Sequence, residues 1–206
     1  MKKRPTKSKT PPPATMTFLD VENQSSGILR PKNGPTDDGC TSILTPGHGV
    51  VAFDPGAMGA FAIFHKGNIT VLPNASTYEM RCAIACCKYH IVEKVSAMPG
   101  QGVTSMFNFG MNYQKCLSAC EINADGDEFY VGSVTPQTWQ NYFTMRHFVT
   151  LPAGKEFQSQ RKKMLVEIAK KQGLDKASKP LKISDKDASD AFLILIWTLR
   201  KTFSYR

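Results

Sequence analysis

Asp54, Glu93, Asp187 and Asp190 are acids set beside apolar runs that would otherwise be buried. Asp54 closes Val50-Val-Ala-Phe53, an apolar run without alternation and rich in β-branched residues, as expected of a central strand covered on both faces. A carboxylate buried there costs several kcal/mol, roughly, unless it is hydrogen-bonded, protonated or bound to a cation. Asp-Pro-Gly is also a common turn opening, and on its own Asp54 reads more readily as the first residue of a turn; the two strands that follow it favour the site reading. Glu93 interrupts the apolar His90-Ile-Val-Glu-Lys-Val95, where it is either a second acid at the end of a buried strand or an exposed residue on a polar face. Asp185 and Asp187 lie in the first turn of the last helix, where acids suit the helix dipole. The dipole does not account for Asp190, which shares a stripe with Ile194 and Trp197 and so faces the protein, with Asp187 one turn above it. Crowded carboxylates repel one another without cations, and oxygen donors select hard ions such as Mg²⁺ or Mn²⁺.

The elements that must position these acids can be read along the chain. After Asp54 the turn leads into a second apolar strand, Gly59-Ala-Phe-Ala-Ile-Phe64, and His65-Lys-Gly-Asn68 turns the chain into a third, Ile69-Thr-Val-Leu72. Met80, Ile84 and Cys87 at helical spacing predict a crossover helix from Thr77 to about Lys88, which brings the Glu93 strand in parallel beside the first. The segment from Met98 to Gly110 is glycine-rich yet unusually apolar, and its Met106, Phe107 and Phe109 either contact nucleic-acid bases or start a helix from about Thr104 to Cys120 and pack in the core. Glu128 to Val134 reads as a fifth strand, with Thr135 capping the next helix, Pro136 at its first position and Trp139 as a core anchor. Residues 155 to 171 form a basic helix whose outer Arg161, Lys162, Lys163, Lys170 and Lys171 meet phosphates or water. Ser184 caps the last helix.

A chain of 206 residues with 41% hydrophobic content can bury one core, and its net charge of +9 favours a polyanionic partner. No apolar segment is long enough for a membrane span, so nucleic acid is the expected partner. Residues 1–47 carry Lys2, Lys3, Arg4, Lys7, Lys9 and a triple proline with little periodic hydrophobicity, and read as a disordered basic tail ahead of one domain over 48–206. The tail lacks the apolar core of a secretory signal, so an intracellular protein, cytoplasmic or nuclear, is expected. Cys82, Cys86 and His90 fall at helical spacing, but without a CxxC pair the cysteines read as small buried hydrophobes rather than zinc ligands.

These residues resemble the RuvC-like Holliday-junction resolvases of the RNase H-like superfamily, phage and viral members most of all. The resemblance spans residues 48 to about 200. It is carried by Phe53-Asp-Pro-Gly56 and its hairpin, Val92-Glu-Lys-Val95 with Ala97-Met-Pro-Gly-Gln-Gly102 and Phe107-Asn-Phe-Gly110, Thr135-Pro-Gln-Thr-Trp139, and Asp187-Ala-Ser-Asp-Ala191. It implies an α/β RNase H-like fold: a mixed five-stranded sheet, made of a three-strand antiparallel meander plus two parallel strands, flanked by helices. It also implies that Asp54, Glu93, Asp187 and Asp190 bind two Mg²⁺ ions, with Mn²⁺ able to substitute, and that these hydrolyse phosphodiester bonds in a four-way DNA junction cut symmetrically by a homodimer. The DNA-contacting residues are then Lys94, Met98, Gln101, Thr104, Ser105 and Phe107, with Arg161 and Lys162 from the basic helix. Similar viral sequences have a His-Gly pair where this chain has Asp185-Lys-Asp187, so either Asp185 or Asp187 supplies the third acid, and helical phase favours Asp187.

Sugar-kinase and actin-like ATPases also begin with a strand, an Asp, a glycine-rich turn and a hairpin, but they need a second such half, so no nucleotide cofactor is expected. A RuvC-derived nucleic-acid-binding module without catalysis, and a nuclease acting on other branched DNA or RNA-DNA hybrids, are the alternatives.

Overall fold

The computed structural model describes residues 19–20, 49–56, 58–94, 102–122, 130–154 and 157–203. Its centre is the antiparallel meander of β2 (Gly49–Asp54), β3 (Ala60–His65) and β4 (Asn68–Pro73). Helix α1 (Thr77–Ile84) then carries the chain across the sheet to β5 (Cys87–Glu93), which pairs in parallel with β2. Helix α2 (Val103–Ile122) leads to β6 (Tyr130–Val134), parallel to β5, and the helices α3 (Pro136–His147), α4 (Gln158–Lys171) and α5 (Asp185–Thr202) complete the domain. A two-residue strand β1, Leu19–Asp20, adds in parallel to the outer edge of β6, giving the order β1-β6-β5-β2-β3-β4. Without that edge this is the expected mixed five-stranded sheet, a three-strand antiparallel meander plus two parallel strands flanked by helices. The remainder of the 1–47 tail lies outside the described residues, as do 95–101 with Met98 and Gln101.

Alternation along the strands divides the core. Val50, Ala52 and Ile91 face α3, α4 and α5, whereas Val51, Phe53, Phe61 and Val92 face α1 and α2. The larger layer is organised by α5, which buries every residue from Ala191 through Leu199. A helix apolar on all sides is expected only where neighbours surround it, and α5 lies against β2, β3 and β4 with α4 packed on it. The hydroxyl of its buried Thr198 donates to the Ile194 carbonyl at 2.8 Å, so no polar atom there is stranded.

Several boundaries differ from those read in the sequence. Helix α1 ends at Ile84, short of Lys88, because β5 already begins at Cys87. His90 therefore sits on a strand, and Cys82, Cys86 and His90 share no helical face. Cys82 and Cys86 are exposed, whereas Cys87, Cys116 and Cys120 are buried, and burial pushes the Cys116 thiol up to about 12, keeping it a protonated, small apolar group.

Candidate active site

Register brings the first two acids together. Ala52 pairs with Ile91 and Phe53 with Val92, so Asp54 and Glu93 end adjacent parallel strands. By alternation both continue the Ala52 and Ile91 face, toward α5. The turn after Asp54 is built to hold it: the Gly56 amide donates to Asp54 Oδ1 at 2.9 Å, and Asn112 of α2 donates to the Gly56 carbonyl at 3.1 Å. Gly59 has a φ of +30° and leaves no room for a Cβ beside Asn74, which accounts for a glycine where the chain enters β3.

Asp190 approaches from α5. Its Oδ2 accepts from Lys162 Nζ of α4 at 2.6 Å, with both side chains mostly shielded from solvent. Asp54, Glu93 and Asp190 are within electrostatic reach of one another. Burial raises Asp54 to about 6, the Asp190 charge adds to it, and the Gly56 amide, Lys162 and a hydrogen bond with Glu93 act the other way. Glu93 is driven well above the ordinary carboxylic range, first by burial and then by the charges of Asp54 and Asp190. Its Oε1 accepts from Trp139 Nε1 at 2.8 Å, and Lys162 also favours its ionised form. Trp139 is both the anchor read in the sequence and a direct partner of the acid.

The two candidates for the third acid differ in their surroundings. Asp185 is turned toward the outer lysines: Lys179 donates to its Oδ1, and Lys170 lies 3.7 Å from its Oδ2. These lysines hold its carboxyl below the usual range. Asp187 accepts from Ser184 Oγ at 2.7 Å in the helix cap, half-exposed at the rim on the turn above Asp190.

Of the expected DNA-contacting residues, Thr104, Ser105 and Phe107 are exposed at the start of α2, with Phe107 66% accessible. Val103, Phe107 and Met111 repeat every fourth residue, which lines them up as an apolar stripe. Phe107 is thus outside the core. Lys94 is half-buried just beyond β5, and its amide donates to Val134. Arg161 donates to Gln140, while Lys162 serves Asp190. The Trp139–Glu93 and Arg161–Gln140 contacts were not read from the sequence. The only signal was the position of Trp139 and Gln140 in the first turns of a helix that leaves β6 beside Glu93.

Among the described residues, no group of three or more His, Cys, Asp or Glu side chains is arranged to hold a metal ion. The donor chemistry nonetheless suits a hard divalent cation. Asp54 and Glu93 resist ionising beside each other and Asp190, and a bound cation would reverse that resistance.

No protein-family model matches the chain, and no curated protein matches it. Among solved structures, it is similar to the yeast mitochondrial Holliday junction resolvase Ydc2 at 11% identity and a TM-score of 0.45, covering 78% of this chain and 81% of that one. It is also similar to Thermus thermophilus RuvC in complex with a Holliday junction substrate, at 15% identity and a TM-score of 0.41, covering 74% of this chain and 95% of that one. A second structure of Thermus thermophilus RuvC gives 14% identity and a TM-score of 0.40 over the same shares.

Proposed function

We propose that this chain is a RuvC-like, Mg²⁺-dependent endonuclease that resolves four-way DNA junctions. The observation that carries the reading is the convergence of Asp54, Glu93 and Asp190, from two parallel strand ends and one helix, into a mutually perturbed group of carboxylates. Strand ends and a helix are rigid supports, as a phosphodiesterase that works by positioning requires.

Asp54, Glu93 and Asp190 would hold two Mg²⁺ ions, with Asp187 completing the set from the rim and Mn²⁺ able to take their place. Bound there, the ions would supply an activated water and charge stabilisation for the leaving 3′ oxygen. The remaining work falls to the protein. Trp139 fixes one oxygen of Glu93. Gly56 and Asn112 hold the Asp54 turn. Lys162 pairs with Asp190 and offers a cation at the edge of the site. Arg161 stands beside Lys162 on α4, positioned to meet a phosphate. Lys94 and the Met98–Phe107 stretch, including Gln101, Thr104 and Ser105, would contact the junction, with exposed Phe107 stacking on an unpaired base. Two copies on a two-fold axis would place two such sites on the two strands to be cut. Such a protein would work where cellular or viral DNA is processed, in the cytoplasm or nucleus.

The test is incubation of the purified chain with a labelled immobile four-way junction and a matched linear duplex, each with Mg²⁺ or EDTA. Paired symmetric nicks confined to the junction and dependent on metal are expected. Tight binding without cleavage would instead identify a binding module, and equal cleavage of both substrates would remove the junction selectivity.

A further inference from the structure

Beside the carboxylates, α3 and α4 flank a second feature. A cavity of about 640 Å³ opens between the first turns of α3, the start of α4 and residues 149–151. Gln137, Gln140, Asn141 and Thr144 line it. Their spacing of three, one and three residues puts them on one face of α3, opposite Trp139 and Phe143, which are in the core. A polar stripe on a helix ordinarily meets bulk water. This one borders a half-open cavity, with Val149 and Leu151 as apolar cover and Arg161 as a cation in the wall. Gln140 is only 7% exposed, and its oxygen accepts from Arg161, so what it offers a ligand is its NH₂.

The cavity shares its wall with the carboxylate group. Trp139 bonds Glu93 while its neighbour Gln140 lines the cavity, and Lys162 bonds Asp190 while its neighbour Arg161 lines the cavity. We propose that this cavity receives one unstacked nucleotide of the strand being cut, with Gln137, Gln140 and Asn141 reading the base edge and Arg161 meeting a phosphate. The volume falls within the range of sites that enclose a small ligand and is far too small for a duplex. Side-chain amides are the groups that read base edges, and a fixed cation beside them suits the attached phosphate. This inference rests on the nuclease reading for its orientation, and it adds a site that gives the protein a base preference near the cut.

The test uses the full chain in EDTA, where cleavage plays no part. The probes are short fluorescein-labelled homopolymers of deoxyadenosine, deoxycytidine and thymidine, with an abasic chain of the same length carrying the same phosphates. The wild type is expected to bind at least one base-bearing strand about tenfold more tightly than the abasic strand. Gln137→Ala with Asn141→Ala, both at exposed positions, should remove most of that difference while leaving abasic affinity unchanged. Arg161→Met should weaken all four strands. Equal binding of all strands by the wild type, or a base preference that survives in the double variant, would overturn the proposal. Junction cleavage in Mg²⁺, run in parallel, separates the two ideas. Cleavage with an unaltered preference discards the cavity and keeps the nuclease, whereas a preference lost in the double variant without cleavage by any form keeps the cavity and discards the nuclease.

Discussion

The two faces of the central sheet are built from the same strands, and alternation sends their residues to different ends. Against α1 and α2 the layer is apolar, with Phe53 and Phe61 rings 5.7 Å apart and buried Cys116 and Cys120 filling the space around them. Against α3, α4 and α5 an equally dry core of Trp139, Phe143 and the α5 aliphatics stops at Asp54, Glu93 and Asp190, whose charges are unfavourable where they stand. The interior of the first face is packed for stability. The other gives up stability at its rim, as sites that must hold charge commonly do.

The contrast is broken most directly at Asp54. Asp54→Asn should reduce junction cleavage to background. It should also raise the thermal midpoint at neutral pH, because the folded carboxyl with a pKa near 6 ionises against burial and Asp190, whereas the unfolded one does so freely. Calorimetry of both proteins checks the second part, and an unchanged or lowered midpoint would show that the site carries no such cost. Next in size is Trp139→Phe. It keeps an aromatic ring in the core but removes the donor to Glu93, and a loss of about 10- to 100-fold in cleavage, with a raised Mg²⁺ requirement, is expected. Circular dichroism should show an intact fold, and a rate equal to wild type would reduce Trp139 to packing.

On the α1 and α2 face the expected effects concern stability only. His90 is buried there, donating to the Cys87 carbonyl at 2.9 Å, and burial lowers its pKa from 6.5 to about 4. Between those values the unfolded chain binds the extra proton, so this contribution is complete above pH 6.5 and is lost as pH falls toward 4, by about 1.4 kcal/mol per pH unit. Asp54 acts in the opposite direction between 3.8 and 6, so urea titrations across this range should show a steeper acid loss in Asp54→Asn than in wild type. The smallest change is expected from Asp185→Asn. Its partly exposed ion pairs contribute about 0.5 kcal/mol and are screened by salt, and cleavage should stay within twofold of wild type. Asp187→Asn should lower cleavage far more, and the reverse order would make Asp185 the third acid.

Much of this was legible in the sequence because it depended on local pattern. The apolar run before Asp54, the hairpin turns around Gly59 and Gly67, and the helical phase of Asp190 each carry a short-range physical cause. Glu93 needed one topological rule, right-handed parallel crossover, to reach Asp54. Contacts between distant elements had no such cause to betray them. Trp139 in an apolar setting looks like any buried aromatic until β6 and α3 are placed beside Glu93, and Arg161 looks like any surface arginine until Gln140 is found beneath it. The helical grouping of Cys82, Cys86 and His90 failed because a spacing of four also fits a helix that stops early and a strand that follows.

The claim that unites the site is that its crowded carboxylates await a divalent cation. The thermal midpoint of wild type and Asp54→Asn across a Mg²⁺ titration, at constant ionic strength, tests it most directly. A rise in the wild-type midpoint that Asp54→Asn lacks is the expected result. Midpoints that stay flat in both, or rise equally in both, would contradict a metal centre at Asp54.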